Sequence, residues 1–89
     1  MHRDLKLENI LINKIEENKD YEIRVADFGL AVFCPDDQLL TTRCGSPGYI
    51  APEILKCKGY SYKVDIFSLG SVFFNLICGR YLFTGNDVN

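Results

Sequence analysis

The chain has 89 residues and a formal net charge of -2, enough for one small domain and too few for two. Apolar residues make up 47% of it, an ordinary share for a globular chain, so a core is possible, although so short a chain buries proportionally little surface. Lys and Arg are scattered rather than gathered into a basic stripe, so no nucleic-acid partner is expected.

Met1-His2-Arg3-Asp4 has no apolar run behind a basic start, so no signal peptide is expected ahead of it. Ile10-Leu11-Ile12 is an apolar run of the length of a buried strand. Tyr21, Ile23 and Val25 alternate with Glu22 and Arg24, the period-two pattern of a half-buried strand. Between them Lys14 to Asp20 is mostly charged and predicts a solvated turn, so the simplest arrangement is an antiparallel hairpin. Its open end would bring Asn9 and Asp27 together.

From Cys34 to Gly48 no apolar periodicity persists, which predicts a long loop of the kind that usually carries function. Pro52 to Lys56 predicts a short helix with Pro at its first position, and Gly59-Tyr60-Ser61 a turn. Val64 to Cys78 is apolar nearly all round, the pattern of a helix buried inside a larger protein, and Gly79 stops it. Its most apolar part, Ile66 to Cys78, is broken by Ser68, Ser71 and Asn75 and is too short to span a bilayer. The tail from Gly85 to Asn89 reads as turn and cap residues.

Cys34, Cys44, Cys57 and Cys78 form no C-x-x-C pair and lie far in sequence from the single histidine, His2. Zinc ligands come in close pairs, so these read as reduced thiols of a cytoplasmic protein.

His2-Arg3-Asp4-Leu5-Lys6-Leu7-Glu8-Asn9 resembles the catalytic loop of protein kinases, H-R-D-L-x-x-x-N. Asp27-Phe28-Gly29 is similar to the metal-binding D-F-G, and Ala51-Pro52-Glu53 to A-P-E. Asp65-Ile66-Phe67-Ser68-Leu69-Gly70 resembles the D-x-W-S-L-G that opens the large helix of the kinase C-lobe. Any one short match is weak, but these stand in family order at family spacing over essentially the whole chain.

The resemblance implies an α+β, protein-kinase-like C-lobe fragment with a β-hairpin, a long activation loop and one buried helix. Residues 1–89 would then be a partial kinase domain, without the N-lobe that carries the glycine-rich loop and its lysine, and without the C-terminal helices. Asp4 would be the catalytic base, Lys6 would neutralise charge on the γ-phosphate of ATP, and Asn9 and Asp27 would hold Mg²⁺, which prefers hard oxygen ligands. For an isolated D-x-x-x-x-N, loop capping would be the better explanation; within the whole set of motifs it is a minor one. His2 and Phe28 are expected to pack rather than react.

Lys6, two residues after Asp4, is typical of serine/threonine kinases, and Gly45-Ser46-Pro47-Gly48-Tyr49 resembles their substrate-docking loop. In relatives the hydroxyl at the position of Ser46 bonds the catalytic Asp and Lys. Arg3 and Thr42 are the expected regulatory pair, a phosphate on Thr42 adding roughly -1.5 to -2 charges that Arg3 can meet, with neighbouring Thr41 as the competing position and an unmodified threonine in a solvated loop as the alternative. Asp65 would bond backbone amides of the catalytic loop, and Glu53 would pair with an arginine beyond Asn89. Leu7, Phe67 and Leu82 depart from the common Pro, Trp and Pro without removing a catalytic group.

The implied activity is transfer of the ATP γ-phosphate to Ser or Thr of a protein substrate. The 89 residues alone are expected to be inactive, because positioning supplies most of this catalysis. The alternative is a non-catalytic fragment that binds kinase substrates or regulators. The segment Cys44 to Glu53 is loosely similar to calcium/calmodulin-regulated kinases.

Overall fold

The computed structural model describes residues 1–83, so the expectation for the tail from Gly85 to Asn89 lies outside the described residues. After a single 3-10 turn at Leu7–Asn9, strand β1 (Ile10–Ile15) and strand β2 (Asp20–Val25) form the two-stranded sheet. They pair antiparallel in the register Ile10 with Val25, Ile12 with Ile23 and Lys14 with Tyr21. The turn closes with Lys19 in the left-handed region (φ 60°) and the Asp20 amide donating to Asn18 Oδ1 at 3.0 Å.

Burial of the hairpin departs from expectation. The alternation does place Tyr21, Ile23 and Val25 on one face, but they are 67%, 65% and 44% exposed, and Ile12 beside them is 68% exposed. A two-stranded ribbon has no second layer of its own to cover an apolar face. Period two specifies which residues share a side, and only a packing partner decides whether that side is dry.

Residues 26–51 follow without a helix or regular strand, in keeping with the long loop expected from Cys34 to Gly48. Helix α1 (Pro52–Lys56) starts with Pro at its N-terminus, where no amide is needed, and ends on Cys57 in a left-handed conformation (φ 55°). Helix α2 (Lys63–Cys78) ends on Gly79 at φ 69°, whose amide donates to Asn75 O at 2.9 Å.

The core is small. Ala51, Ile54, Tyr60 and Val64 are buried together where α1 meets the start of α2, with Met1, Leu40, Ile50 and Phe67 packed partly against them. From α2, Val64, Ser68, Ser71 and Val72 are buried, a single stripe at helical spacing. Much of its remaining apolar surface is open: Ile66 is 65% exposed, Phe73 57%, Leu76 63% and Ile77 82%. A helix apolar all round has thus found cover for one face only. The stripe's serines make this possible, since Ser68 Oγ donates to Tyr49 O at 2.7 Å and to Val64 O at 3.1 Å, and Ser71 Oγ to Phe67 O at 3.3 Å.

No described helix is long and apolar enough to cross a membrane. The four cysteines are free thiols.

Candidate active site

Residues from four separate stretches meet around Asp4. The anchor is Asp65, in the first turn of α2: its Oδ2 accepts from the His2 amide at 2.7 Å and its Oδ1 from the Arg3 amide at 2.9 Å. Hydrogen bonds to a charged acceptor are worth about 1.5–3 kcal/mol each. They hold Arg3 at φ 71°, a left-handed conformation that costs a non-glycine residue roughly 1–3 kcal/mol.

His2 is buried and joins the loop to the segment after β2. Its Nδ1 accepts from the Asp4 amide at 3.1 Å, so Nε2, 2.9 Å from Ala26 O, carries the proton. Its ring meets Phe28 edge-on with centroids 5.2 Å apart. Both rings also line an open, largely apolar cleft with Met1, Ala31, Val32 and Phe33. His2 thus packs beside the D-F-G, as expected, whereas Phe28 touches His2 on one side and is 64% exposed.

At Asp4 the Ser46 hydroxyl donates to Oδ1 at 2.6 Å, and Lys6 Nζ donates to the same hydroxyl at 2.8 Å. Lys6 Nζ also lies 3.9 Å from Asp4 Oδ2. One hydroxyl thus accepts from the ammonium and donates its single proton to the carboxylate. The Asp4 and Lys6 side chains keep 13% and 25% exposure, so the cluster is reachable from solvent.

Asn9 is buried, and its Nδ2 donates to Asp4 O at 2.9 Å, which leaves the amide oxygen as its acceptor end. The Ala26 amide donates to Asn9 O at 2.8 Å, so the open end of the hairpin sets Asn9 beside the residue preceding Asp27. Asp27 is exposed, sits at φ 60°, and accepts from the Gly29 amide through Oδ1 at 3.1 Å. Asp is among the residues that tolerate the left-handed region. A carboxylate and a carboxamide are hard oxygen donors, a set that suits Mg²⁺ because this ion takes few protein ligands and completes its shell with water and phosphate. Among the described residues no group of three or more His, Cys, Asp or Glu gathers as a denser cation site.

Arg3 Nε donates to Leu30 O at 2.7 Å and Nη1 to Tyr60 OH at 3.1 Å. The Tyr60 hydroxyl in turn donates to Thr42 O, so Arg3 and Thr42 share one phenol, with Thr42 exposed. Glu53 is half-buried and makes no ion pair among the described residues.

Two tyrosines join the site: Tyr49, which closes the docking-loop motif but carried no assigned role, and Tyr60, which no motif marks. Tyr60 lies in the segment read only as a turn, yet it is 2% exposed. Tyr49 is 4% exposed, holds Ser68 through its carbonyl, meets Tyr81 edge-on at 6.0 Å, and its hydroxyl has no partner among the described residues. Burial pushes both phenols above their ordinary value near 10, with the Glu8 charge adding to the effect at Tyr49. The available signal was a bulky aromatic beside glycine in a turn that leads into an apolar helix.

The family described as the protein kinase domain matches residues 1–89. A probable serine/threonine-protein kinase 2 of Plasmodium falciparum is 51% identical over 88 residues, covering 99% of this chain and 17% of that protein. The DNA damage response protein kinase DUN1 of Saccharomyces cerevisiae is 41% identical over 93 residues, covering 89% of this chain and 18% of its own length. Myosin light chain kinase A of Dictyostelium discoideum is 43% identical over 88 residues, with 99% and 29% covered. The chain spans less than a third of the length of each of these relatives.

Proposed function

The chain belongs to the protein kinase domain family, and on that premise we propose that the protein carrying it transfers the γ-phosphate of ATP to Ser or Thr hydroxyls of a protein substrate. The observation that carries this is the Ser46 hydroxyl held between Asp4 Oδ1 and Lys6 Nζ. It marks a place where an alcohol meets a proton acceptor on one side and a cation on the other.

Asp4 orients the incoming substrate hydroxyl and takes up its proton, Oδ2 being the oxygen that Ser46 does not use. Lys6 offsets the charge that gathers on the transferring phosphoryl group. Asn9 and Asp27 are the proposed Mg²⁺ ligands, and the bound ion would offset phosphate charge. Ser46 keeps Asp4 and Lys6 in register and belongs to the loop proposed to receive the substrate. Asp65 fixes the loop from below. Thr42 is the proposed phosphorylation position and Arg3 its cationic partner, while Glu53 is assigned a structural role.

Residues 1–89 are read as part of a kinase domain, and the 89-residue chain by itself as catalytically silent. The base and the metal ligands alone do not position ATP, and positioning can account for roughly 7–11 kcal/mol of a barrier. The test is to incubate the full-length protein with Mg-ATP and an unstructured protein rich in Ser, Thr and Tyr. Phosphoserine and phosphothreonine are expected; no transfer, or transfer confined to tyrosine, refutes the proposal.

A further inference from the structure

The Tyr60 phenol sits at a junction that no motif accounts for. Its backbone pairs with Leu40 through two hydrogen bonds, Leu40 N to Tyr60 O at 3.0 Å and Tyr60 N to Leu40 O at 2.9 Å. Its ring is in the core with Ala51, Ile54 and Val64. Its hydroxyl accepts from Arg3 Nη1 at 3.1 Å, donates to Thr42 O and lies 3.9 Å from Cys44 Sγ. Arg3 immediately precedes Asp4, and Thr42 stands four residues before Ser46.

These contacts close a ring. On one side the path runs Tyr60, Arg3, Asp4; on the other it runs Tyr60, Thr42 to Gly45, Ser46, and the two meet at the Ser46–Asp4 hydrogen bond. Between the two closures the strands of the ring touch directly. A Cβ on Gly45 would lie 3.2 Å from Arg3 O, and Gly45 sits at φ 120°, where side chains are strained. The segment from Thr42 to Ser46 therefore approaches Arg3 closely at Gly45, with the phenol holding one end and Asp4 the other.

We infer that Tyr60 is a positioning residue for the proposed phosphoryl transfer: its hydroxyl sets the spacing between Arg3 and the 42–46 segment and so keeps Ser46 on Asp4. The inference rests on the kinase reading of Asp4. Because the tie runs to the Thr42 carbonyl, it acts whatever the Thr42 side chain carries. The buried ring makes the tie stiff, and an unpartnered Thr42 carbonyl and Arg3 N–H are what its loss would leave.

The experiment uses the full-length protein with Tyr60→Phe, which keeps the ring in the core and removes only the hydroxyl. We expect kcat for a protein substrate to fall about tenfold, as for loss of one hydrogen bond to a charged group, with KM for ATP within about twofold of wild type. Amide hydrogen exchange at residues 42–46 should quicken while that of α2 from Val64 to Val72 stays unchanged. In a Ser46→Ala background Tyr60→Phe should cost less than about twofold more, because both changes break the same ring. Unchanged kcat and exchange, quickened exchange throughout α1 and α2, or fully multiplicative losses would each overturn the inference. Full activity of Asp4→Asn would instead sink the kinase reading, and the exchange at 42–46 would still report whether the phenol holds the segment.

Discussion

Ser46 donates its hydroxyl to Asp4 across 42 positions of sequence, at 2.6 Å, while Lys6 donates to the same oxygen at 2.8 Å. A turn-forming Gly-Ser-Pro segment is thereby bonded to the first motif. Ser46→Ala in the full-length protein leaves Asp4 and Lys6 without the hydroxyl that joins them. The expected loss in kcat/KM for protein substrate is about tenfold to a hundredfold, from one hydrogen bond to charged groups. Ser46→Thr keeps the hydroxyl and should stay within a few-fold of wild type. Steady-state kinetics of the two variants side by side would check this.

Asp65 carries the loop on α2 through the amides of His2 and Arg3. Asp65→Ala strands both amides and should destabilise the fold by about 2–4 kcal/mol, given the cost of unmade bonds to a charged acceptor. Asp65→Asn retains one acceptor oxygen and should lose roughly half as much. Urea denaturation of the full-length variants measures the difference, and equal stability of Asp65→Ala and wild type would contradict the anchoring role.

Much of this arrangement is legible without coordinates. The hairpin and both helices follow from alternation, a charged turn and Pro and Gly at helix ends. The register of Ser46 on Asp4 was legible only through resemblance, because nothing local in Gly45-Ser46-Pro47 points across the chain. Tyr60 was not legible, because its pairing with Leu40 and its bonds to Arg3 and Thr42 join distant loops that have no period. The exposed face of the hairpin was misjudged for the opposite reason: the period is clear, but burial depends on a partner that a two-stranded ribbon does not supply.

Stability should fall at high pH. The Tyr49 and Tyr60 phenols are raised above 10 by burial, so the folded state keeps their protons at a pH where the unfolded chain has released them. Their contribution is therefore fully present below about pH 10 and is lost as pH rises through the folded values. Denaturation midpoints should be flat in these terms from pH 8 to about 9 and decline above about 10. In Tyr60→Phe the decline should be shallower.

The open face of α2 predicts the behaviour of the 89-residue chain on its own. Ile66, Phe73, Leu76 and Ile77 are large apolar side chains left exposed on one helix, the kind of surface that favours association. Self-association is expected on light scattering, reduced by Phe73→Ser with Ile77→Ser. A wild-type chain that stays monomeric at tens of micromolar, roughly the range where such patches associate, would contradict it.

Thr42 is exposed and its carbonyl is tied to Arg3 through Tyr60. If a phosphate there orders the loop, Thr42→Ala in the full-length protein should lower activity about tenfold, within the range of one to three new charge-assisted bonds. Undiminished activity, with no phosphate found on Thr42 by mass spectrometry, would remove Thr42 from the regulatory role.

The most direct measurement is kcat of the full-length protein with Asp4→Asn, a change that preserves shape and leaves an acceptor for Ser46 while removing the proton-accepting charge. A loss of at least about a hundredfold, with KM for ATP little changed, is predicted from the usual contribution of a general base. Activity within about twofold of wild type would mean that the carboxylate met here by Ser46 and Lys6 is not the group that receives the substrate proton.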